Sequence, residues 1–485
     1  MTKSEKRSFK LQVAKYKNNS LSIELFDLLN QQSSYDEAKL LKKLKATTLV
    51  KKNFKVHKKH LYDAIMKSLR SSKVGTDTEI KLRQEFDYCV ILRDKGFIDE
   101  AIQSLDKLIG KAKKNDSYAI WAEAALWKSG LVFNKMDKKS IEESLEALNE
   151  QLLAVDALRI QGDLNQFFIK GIHAMKKHGK DSVPQEIFQA LLDYPEPSLP
   201  ILKYKLYMVK IQYFFAQNQL EESYQISKKS IKLVHDIAAF QETNKIAYCS
   251  VMATHLKILR GTHRYQEMLE LIELWSAFLK KEGLGLLATR SIFVLKRAVR
   301  YLELLGVLPQ DFVLEHTVED ISQYINSELQ GEVYTEWYDQ IKYNFVKEDY
   351  KALLSINDLK DSFPLEVQVL NYTTTARLLI IIAYFELDQT NILSHFIDTT
   401  KYFLKQNELY EGGTPIILNF FNTKELYELK VPQAIFEKLQ KELLEIGYKE
   451  DVILSWLDHK LTGKSILSCY RTTVLENKNK RPNSI

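Results

Sequence analysis

The densest group of charged side chains in this sequence is a run of lysines near its N-terminus. Nine lysines and no acidic residue occur between Lys39 and His60. Closely spaced cations attract anions and displace counterions from nucleic acid. The sequence therefore predicts a surface for an anionic partner. The residues assigned to this surface are Lys42, Lys43, Lys45, Lys51, Lys52, Lys55, Lys58 and Lys59.

Three interpretations of the lysine run stay open: a solvated face, a contact with an acidic protein, or a contact with nucleic acid. Lys51, Lys55 and Lys58 recur about one helical turn apart and would form a stripe. Three short helices permit a helix-turn-helix-like geometry, although no base-reading Arg, Asn or Gln set accompanies them. Residues 1–75 hold 18 Lys/Arg and 6 Asp/Glu, against 51 and 57 in the remainder, so a basic head precedes a mildly acidic body.

Patterns that carry catalysis are absent from the sequence. It contains no phosphate-binding glycine loop, dinucleotide fingerprint, His-Glu-x-x-His or Gly-x-Ser-x-Gly. His57 and His60 lie within the lysine run, where positive charge disfavours a bound cation. The three cysteines have neither the pattern of a disulfide framework nor a zinc-ligand spacing: Cys89, Cys249 and Cys469. Of these, Cys469 is the one that could be exposed to solvent and oxidised. We therefore expect no enzymatic activity, no cofactor and no metal.

Short helices must position the lysines. Ser34 and Glu37 have the spacing of a capping box, which predicts a helix from about residue 35 to residue 45. Apolar side chains at three- and four-residue spacing predict another helix over about 50–69. Residues 71–77 form a polar break, so residues 1–75 are expected to be a basic helical head.

A degenerate turn pattern recurs along the rest of the chain. Its copies are residues 96–105, 136–145, 219–224, 263–268 and 348–353. Each copy is typical of the tight turn in a helical hairpin, and most adjacent copies are about 40 to 45 residues apart. Residues 184–188 and 308–312 are predicted to fill the two longer gaps. The residues predicted to pack between paired helices are Cys89, Ala101, Ser144, Ser223, Met268 and Leu353.

The segment from Glu79 to Leu108 resembles a tetratricopeptide repeat. Cys89 and Ala101 stand at the small-residue positions of that family, and Phe97 or Ile98 stands where the family often has Tyr. The spacing exceeds the usual ~34 residues, and the characteristic Trp and terminal Pro are missing from most copies. In layout the whole chain is similar to uncharacterised bacterial helical-repeat proteins. The resemblance implies an all-α, right-handed solenoid of helical hairpins over residues 76–430.

The C-terminal part is expected to close this array. Residues 431–465 read as two capping helices, with Pro432 in the first turn of one of them, and residues 466–485 as a polar tail. Only 16 Gly and 9 Pro in 485 residues favour long helices over many short strands.

Neither a secretory signal nor a membrane span is predicted. Met1–Arg7 is basic but is not followed by an apolar segment. The longest apolar run, residues 378–385, is far shorter than the ~18 to 20 residues that a bilayer requires. The cytoplasm is therefore the expected compartment.

The function predicted from these features is a non-enzymatic scaffold that binds a protein or peptide in the groove of the array. The alternative is a nucleic-acid-binding or regulatory protein that acts through the lysine-rich head.

Overall fold

The computed structural model describes most of the chain. The described residues are 1–14, 20–32, 34–44, 52–73, 77–178, 185–242, 244–282, 286–309, 312–314, 328–357, 362–364, 372–423, 426 and 433–480. Within these ranges the regular elements are α-helices and no β-strand occurs, so the predicted all-α class is confirmed there. None of the helices in these ranges combines the length and apolar character needed to cross a membrane.

The N-terminal helices are α1 (Lys3–Ala14), α2 (Ser20–Asn30), α3 (Glu37–Lys43), α4 (Phe54–Lys73), α5 (Thr78–Asp94), α6 (Ile98–Lys114), α7 (Tyr118–Phe133) and α8 (Lys138–His178). Then follow α9 (Gln185–Leu192), α10 (Pro200–Ala216), α11 (Leu220–Asp236), α12 (Ala238–Glu242), α13 (Lys245–Gly261), α14 (Tyr265–Glu282) and α15 (Leu286–Leu305). The last are α16 (Gln330–Val346), α17 (Tyr350–Ser355), α18 (Thr373–Glu386), α19 (Thr390–Gln406), α20 (Thr414–Phe420), α21 (Gln433–Glu445), α22 (Asp451–Thr462) and α23 (Ile466–Lys480).

Two compact units divide the chain. Unit 1 contains Met1–His173 and Asp193–Leu206, and unit 2 contains Ala174–Leu192 and Tyr207–Ile485. The predicted head therefore shares a unit with the first hairpins. Within unit 1, α4 packs on α5 across the polar break, and Arg70 pairs with Asp87 at 2.9 Å.

The head has a small hydrophobic core of its own, made by α1 to α4. Its buried side chains are Phe9, Val13, Leu25, Phe26, Leu40, Leu44, Phe54 and Leu61. The predicted capping box is wrong: α3 begins at Glu37, and the side chain of Asp36 accepts the hydrogen bond from the Lys39 amide. A carboxylate one residue before the helix satisfies an orphan amide directly, which leaves no capping role for Ser34.

At each of the five predicted turns one helix ends and the next begins within a few residues, so these turns are confirmed. Each turn contains a residue with a left-handed backbone, namely Gly96, Met136, Asn218, His263 and Glu348. In four of them the following amide bonds back to a carbonyl five residues earlier, as from Phe97 to Leu92 at 3.0 Å. This Schellman arrangement satisfies carbonyls that the helix end would otherwise leave without a donor.

The structure describes part of each of the two predicted gaps. Helix α9 begins at Gln185, as expected for the first gap. In the second, α15 ends at Leu305, the next residue Gly306 has a φ of +72°, and the Val307 amide donates to the Leu302 carbonyl at 3.0 Å. Residues 310–311 of the predicted segment lie outside the described residues. From residue 218 the left-handed helix ends of unit 2 fall at 263, 306, 348 and 388, at intervals of 45, 43, 42 and 40 residues.

The predicted polar tail is wrong over most of its length. Residues 466–480 form α23, and Ile466, Cys469, Tyr470 and Val474 of this helix are buried. The helix lies on α15 and α16, far away in sequence. Arg471 Nε donates to the Leu304 carbonyl at 2.7 Å, and the Ile466 amide donates to Glu348 at 2.8 Å. The polar composition of residues 476–485 concealed the apolar face that precedes them.

Gly306 offers a test of how α23 is attached. A Cβ at Gly306 would lie 3.0 Å from Arg471 Nη2, and the left-handed backbone disfavours any side chain by about 1–2 kcal/mol. We expect Gly306→Ala to lower the free energy of unfolding of unit 2 by about that amount. Urea denaturation, followed by fluorescence of the buried Trp275, Trp337 and Trp456, measures it.

Gly331→Ala is the matched control for this substitution. Gly331 lies in α16, with nothing within 4 Å of a built Cβ, so alanine there is expected to be neutral or to stabilise by up to about 1 kcal/mol. Equal urea midpoints for the two variants would show that the turn at Gly306 tolerates a side chain.

Candidate functional site

The lysines of the head do not form one uniform surface. Lys42 and Lys43 at the end of α3, and Lys52, Lys55 and Lys59 beside or within α4, are exposed. Lys45 and Lys51 lie outside the described residues. Lys58 bonds to Glu37 at 2.6 Å and to the Tyr35 hydroxyl at 3.1 Å, and these bonds raise its pKa. Lys58 therefore has a structural role, because its hydrogen bonds join the start of α3 to α4.

The six residues predicted to pack between helices are all buried: Cys89, Ala101, Ser144, Ser223, Met268 and Leu353. Their chemistry differs from site to site. The hydroxyl of Ser144 contacts that of Ser129 on α7 at 2.8 Å, and Ser223 donates to the Ile211 carbonyl on α10 at 3.3 Å. Small polar residues thus accompany close helix contacts at these two hairpins.

A cavity of about 510 Å³ in unit 2 is lined by matching faces of three helices. The three helices contribute positions i, i+3, i+4 and i+7 to this cavity and the one that adjoins it, and each set lies 41 residues after the previous one. The sets are Ala253, Leu256, Lys257 and Arg260 on α13; Val294, Arg297, Ala298 and Tyr301 on α15; and Thr335, Tyr338, Asp339 and Lys342 on α16. Tyr301 itself lines the adjoining cavity, and the other eleven line this one.

The adjoining cavity, of about 680 Å³, shares Arg260 and Lys342 with the first. Its other wall comes from the C-terminal helices, including Leu444 of α21, Leu454 of α22 and Tyr470 of α23. The two cavities therefore form one depression, which we call the basic cleft. Helix α23, which the sequence did not predict, closes one side of it.

Cations predominate in the inner part of the basic cleft. The smaller cavity is lined by Lys257, Arg260, Arg297 and Lys342 but by a single carboxylate, Asp339. Arg260 stacks at 4.0 Å from the centre of the Tyr301 ring, and Lys342 Nζ lies 5.2 Å from that of Tyr470. Among the described residues neither Arg260 nor Arg297 forms an ion pair with a carboxylate.

The carboxylates beside the cleft are held by another arginine. Arg300 contacts Glu336 at 2.6 Å and Asp339 at 3.1 Å, and Glu336 is completely buried. Burial raises the pKa of Asp339, against the opposing influence of Arg300. Removing one partner of such a buried pair leaves an uncompensated charge and costs roughly 3–5 kcal/mol. The cluster therefore fixes α15 against α16 and neutralises the acidic groups nearest the cleft.

Sequence reasoning missed Arg260, Arg297 and Lys342. They lie in three different helices, and the few cations near them in sequence, such as Lys296 and Arg300 beside Arg297, do not form a run like that of the head. The signal that would have found them is the 41-residue register of the helix that precedes each turn. The turn pattern itself belongs to the helix that follows each turn, so it carries no information about these inner faces.

The cysteines and the other side chains that could bind a metal form no second candidate site in the described part of the chain. No group of three or more His, Cys, Asp or Glu side chains there could hold a metal ion. All three cysteines are buried, and none of them forms a disulfide within the described residues. The possibility that Cys469 is exposed does not hold, because packing of α23 buries it, and this burial raises the pKa of its thiol.

Comparisons with known proteins supply no relative for this chain. No protein-family model matches it, and no match was found among curated proteins or solved structures.

A buried histidine supports the first helix of the cleft from behind. His255 of α13 contacts the Ser227 hydroxyl through Nδ1 at 2.8 Å and stacks on Tyr224, with ring centres 6.0 Å apart. Burial lowers the pKa of His255 from 6.5 to about 4. His255 is therefore neutral in the folded protein at pH values at which the unfolded chain, whose histidine pKa is near 6.5, already binds a proton.

The stability of unit 2 should therefore depend on pH through His255. Because the folded-state pKa is depressed, its contribution is complete above pH 6.5 and is lost as the pH falls toward 4. Between about pH 7.5 and about pH 4.5 this loss is roughly 2.5 kcal/mol. We expect His255→Gln to abolish that part of the loss in urea denaturation at the two pH values. His395→Gln, at an exposed histidine, should retain it; equal losses in all three proteins would contradict the assignment.

Proposed function

We propose that this protein is a non-enzymatic helical-repeat scaffold that binds a peptide or protein segment in the basic cleft. The observation that carries the proposal is the 41-residue register with which α13, α15 and α16 turn the same face to one cavity. Repeated helices that present equivalent positions to a shared surface are the usual way in which helical arrays bind extended ligands. The proposal includes a solenoid-like stacking of hairpins.

Contacts between consecutive hairpins support this stacking. In unit 2 the Tyr224 hydroxyl donates to Glu267 at 2.6 Å, and Tyr343 donates to Glu303 at 2.7 Å. These partners are 43 and 40 residues apart, close to the interval between turns. In unit 1 the Ser117 hydroxyl donates to Glu79, 38 residues away, at 2.9 Å. Contacts at about one repeat length are expected when each hairpin packs on the next.

The composition of the cleft fits recognition of a peptide. Tyrosines and arginines dominate binding energy at protein interfaces because they offer large contact area together with hydrogen bonds. The basic cleft contains Tyr301, Tyr338, Tyr372, Tyr448 and Tyr470 in addition to its arginines. Apolar side chains such as Leu256 and Met268 lie among them. The proposed compartment is the cytoplasm, where the three free thiols would stay reduced.

Selection from a displayed library of random peptides tests the proposal. We expect the full-length protein to enrich a family of related peptides above a no-protein control. Filling the smaller cavity by Ala253→Trp should abolish their binding, because Ala253 is half-buried and lines it. Ala238→Trp places the same ring on an exposed position of unit 2 and should leave binding unchanged.

Two results would oppose this function. One is that the protein enriches no peptide. The other is that both tryptophan variants bind the selected peptides as the parent does, which would place any binding surface outside the cleft. Urea denaturation of each variant shows whether it has kept the parental fold.

A second candidate function is binding of nucleic acid by the head. The observation that favours it is the exposure of five head lysines, Lys42, Lys43, Lys52, Lys55 and Lys59. None of the five forms an ion pair with a carboxylate in the described part of the chain. Such cations are available to phosphates, and each phosphate contact adds to the dependence of affinity on salt.

Lys52, Lys55 and Lys59 together provide the test for nucleic acid. If the head binds DNA, the full-length protein should shift duplex DNA at ~50 mM salt and lose most of that affinity by ~200 mM. Replacing the three lysines by Glu should abolish the shift. Replacing the exposed Lys107, Lys114 and Lys138 of the same unit by Glu changes the net charge equally and should reduce it less. Equal reduction by both sets would indicate a non-specific charge effect.

A further inference from the structure

Arg297 is the most unusual side chain in the basic cleft. It lines the smaller cavity, and its Nη1 atom is buried without a hydrogen-bond partner among the described residues. Burial also lowers the pKa of its guanidinium. A buried donor that lacks an acceptor costs roughly 1–3 kcal/mol, and more when it is charged. The folded protein carries this cost in a residue that lines a cavity.

The nearby carboxylates of Glu336 and Asp339 favour the charge of Arg297, but neither forms a hydrogen bond with its Nη1 atom. Glu336 and Asp339 are bonded to Arg300, one helical turn further along α15. The helix thus presents two arginines in different situations: Arg300 is satisfied from within the protein, and Arg297 is not. An acceptor from outside the chain would complete the hydrogen bonding of Arg297.

Other cations around the cavity also favour a negatively charged ligand. Arg260 interacts with the Tyr301 ring and has its guanidinium edge available for hydrogen bonds. Lys342 belongs to both cavities, so positive charge continues from the smaller one to the larger. In the partly buried cleft these charges are screened less than they would be on an open surface.

We infer that the basic cleft recognises an acidic peptide segment, with Arg297 binding one Asp or Glu carboxylate and Arg260 and Lys342 binding the next acidic group. This inference rests on the proposed peptide-binding function. Carboxylate–guanidinium pairs supply charge-assisted bonds with directional geometry, which would orient the segment across α15.

The apolar part of the lining restricts the ligand further. Leu256, Met268 and Val294 lie beside the cations in the smaller cavity. A complementary segment therefore alternates acidic and apolar side chains. Nucleic-acid interfaces are more polar and more strongly charged than this lining, so a polynucleotide fits it less well than a peptide does.

The peptides enriched by the full-length protein provide the probes for this inference. We expect Asp and Glu to be over-represented at fixed positions, alternating with apolar residues. Changing those acidic residues to Asn or Gln should weaken binding at least about tenfold, as measured by fluorescence anisotropy. Arg297→Gln should weaken binding of the parent peptides to a similar extent. It should have a much smaller effect on the binding of peptides that carry Asn or Gln in place of the acidic residues.

Lys281→Gln is the matched control for Arg297→Gln. It removes one positive charge from an exposed position on α14 and should change affinity less than about twofold. If Arg297→Gln does not keep the parental fold, Arg260→Gln replaces it in the comparison. Arg260 makes no ion pair with a described carboxylate, so its loss should disturb the fold little.

The outcomes separate the inference from the function on which it rests. Enriched peptides that lack acidic residues, yet are blocked by Ala253→Trp, would retain the proposed function and overturn the inference. Undiminished binding of acidic peptides to Arg297→Gln or its Arg260→Gln replacement would also overturn it. Displacement of the peptides by single-stranded oligo(dT) at equal charge concentration would show a general polyanion site and exclude peptide specificity. Enrichment of no peptide would remove the proposed function itself.

Discussion

The contact on which the organisation of unit 2 depends most is the bond of Arg300 to Glu336 and Asp339. It joins α15 to α16 through partners 36 and 39 residues apart. Because Glu336 is completely buried, the charge of one helix is tolerated only where the other helix supplies its counter-ion. A shift of α16 by one turn would break the pair, so the pair holds the two inner faces in register. The basic cleft is a consequence of that register.

The helix ends impose the second constraint. A left-handed residue closes each turn of the hairpins, and in unit 2 this residue is non-glycine at Asn218, His263, Glu348 and Asp388. A side chain in that conformation is disfavoured, and the bond from the next amide to a carbonyl of the preceding helix offsets part of the cost. The turns therefore tolerate varied sequences, which explains why the pattern read from the sequence is degenerate although its geometry recurs.

The two basic regions of the chain, the head and the basic cleft, differ in how their cations are brought together. In the head the lysines are near one another in sequence, so they were visible as a run, but Lys58 proved to be bonded to Glu37 within the protein. In the cleft the cations come from three separate helices, and the fold brings Arg260, Arg297 and Lys342 to one cavity. Local charge density thus indicated solvent-facing cations, whereas the orphan donor of Arg297 arises only from burial.

The sequence by itself determined the all-α class of the described residues, the positions of five helix turns and several helix starts, because these depend on propensity and hydrogen bonds within a few residues. Only the tertiary structure decided that α23 is a packed helix and that the head shares a unit with the first hairpins. It also decided that Arg300 forms ion pairs with the carboxylates nearest the cleft. Each of these outcomes depends on contacts between different helices, from 17 residues apart for Arg70 and Asp87 to 167 for Arg471 and Leu304. Their mutual burial and charge compensation are properties of assembled helices, and no single helix encodes them.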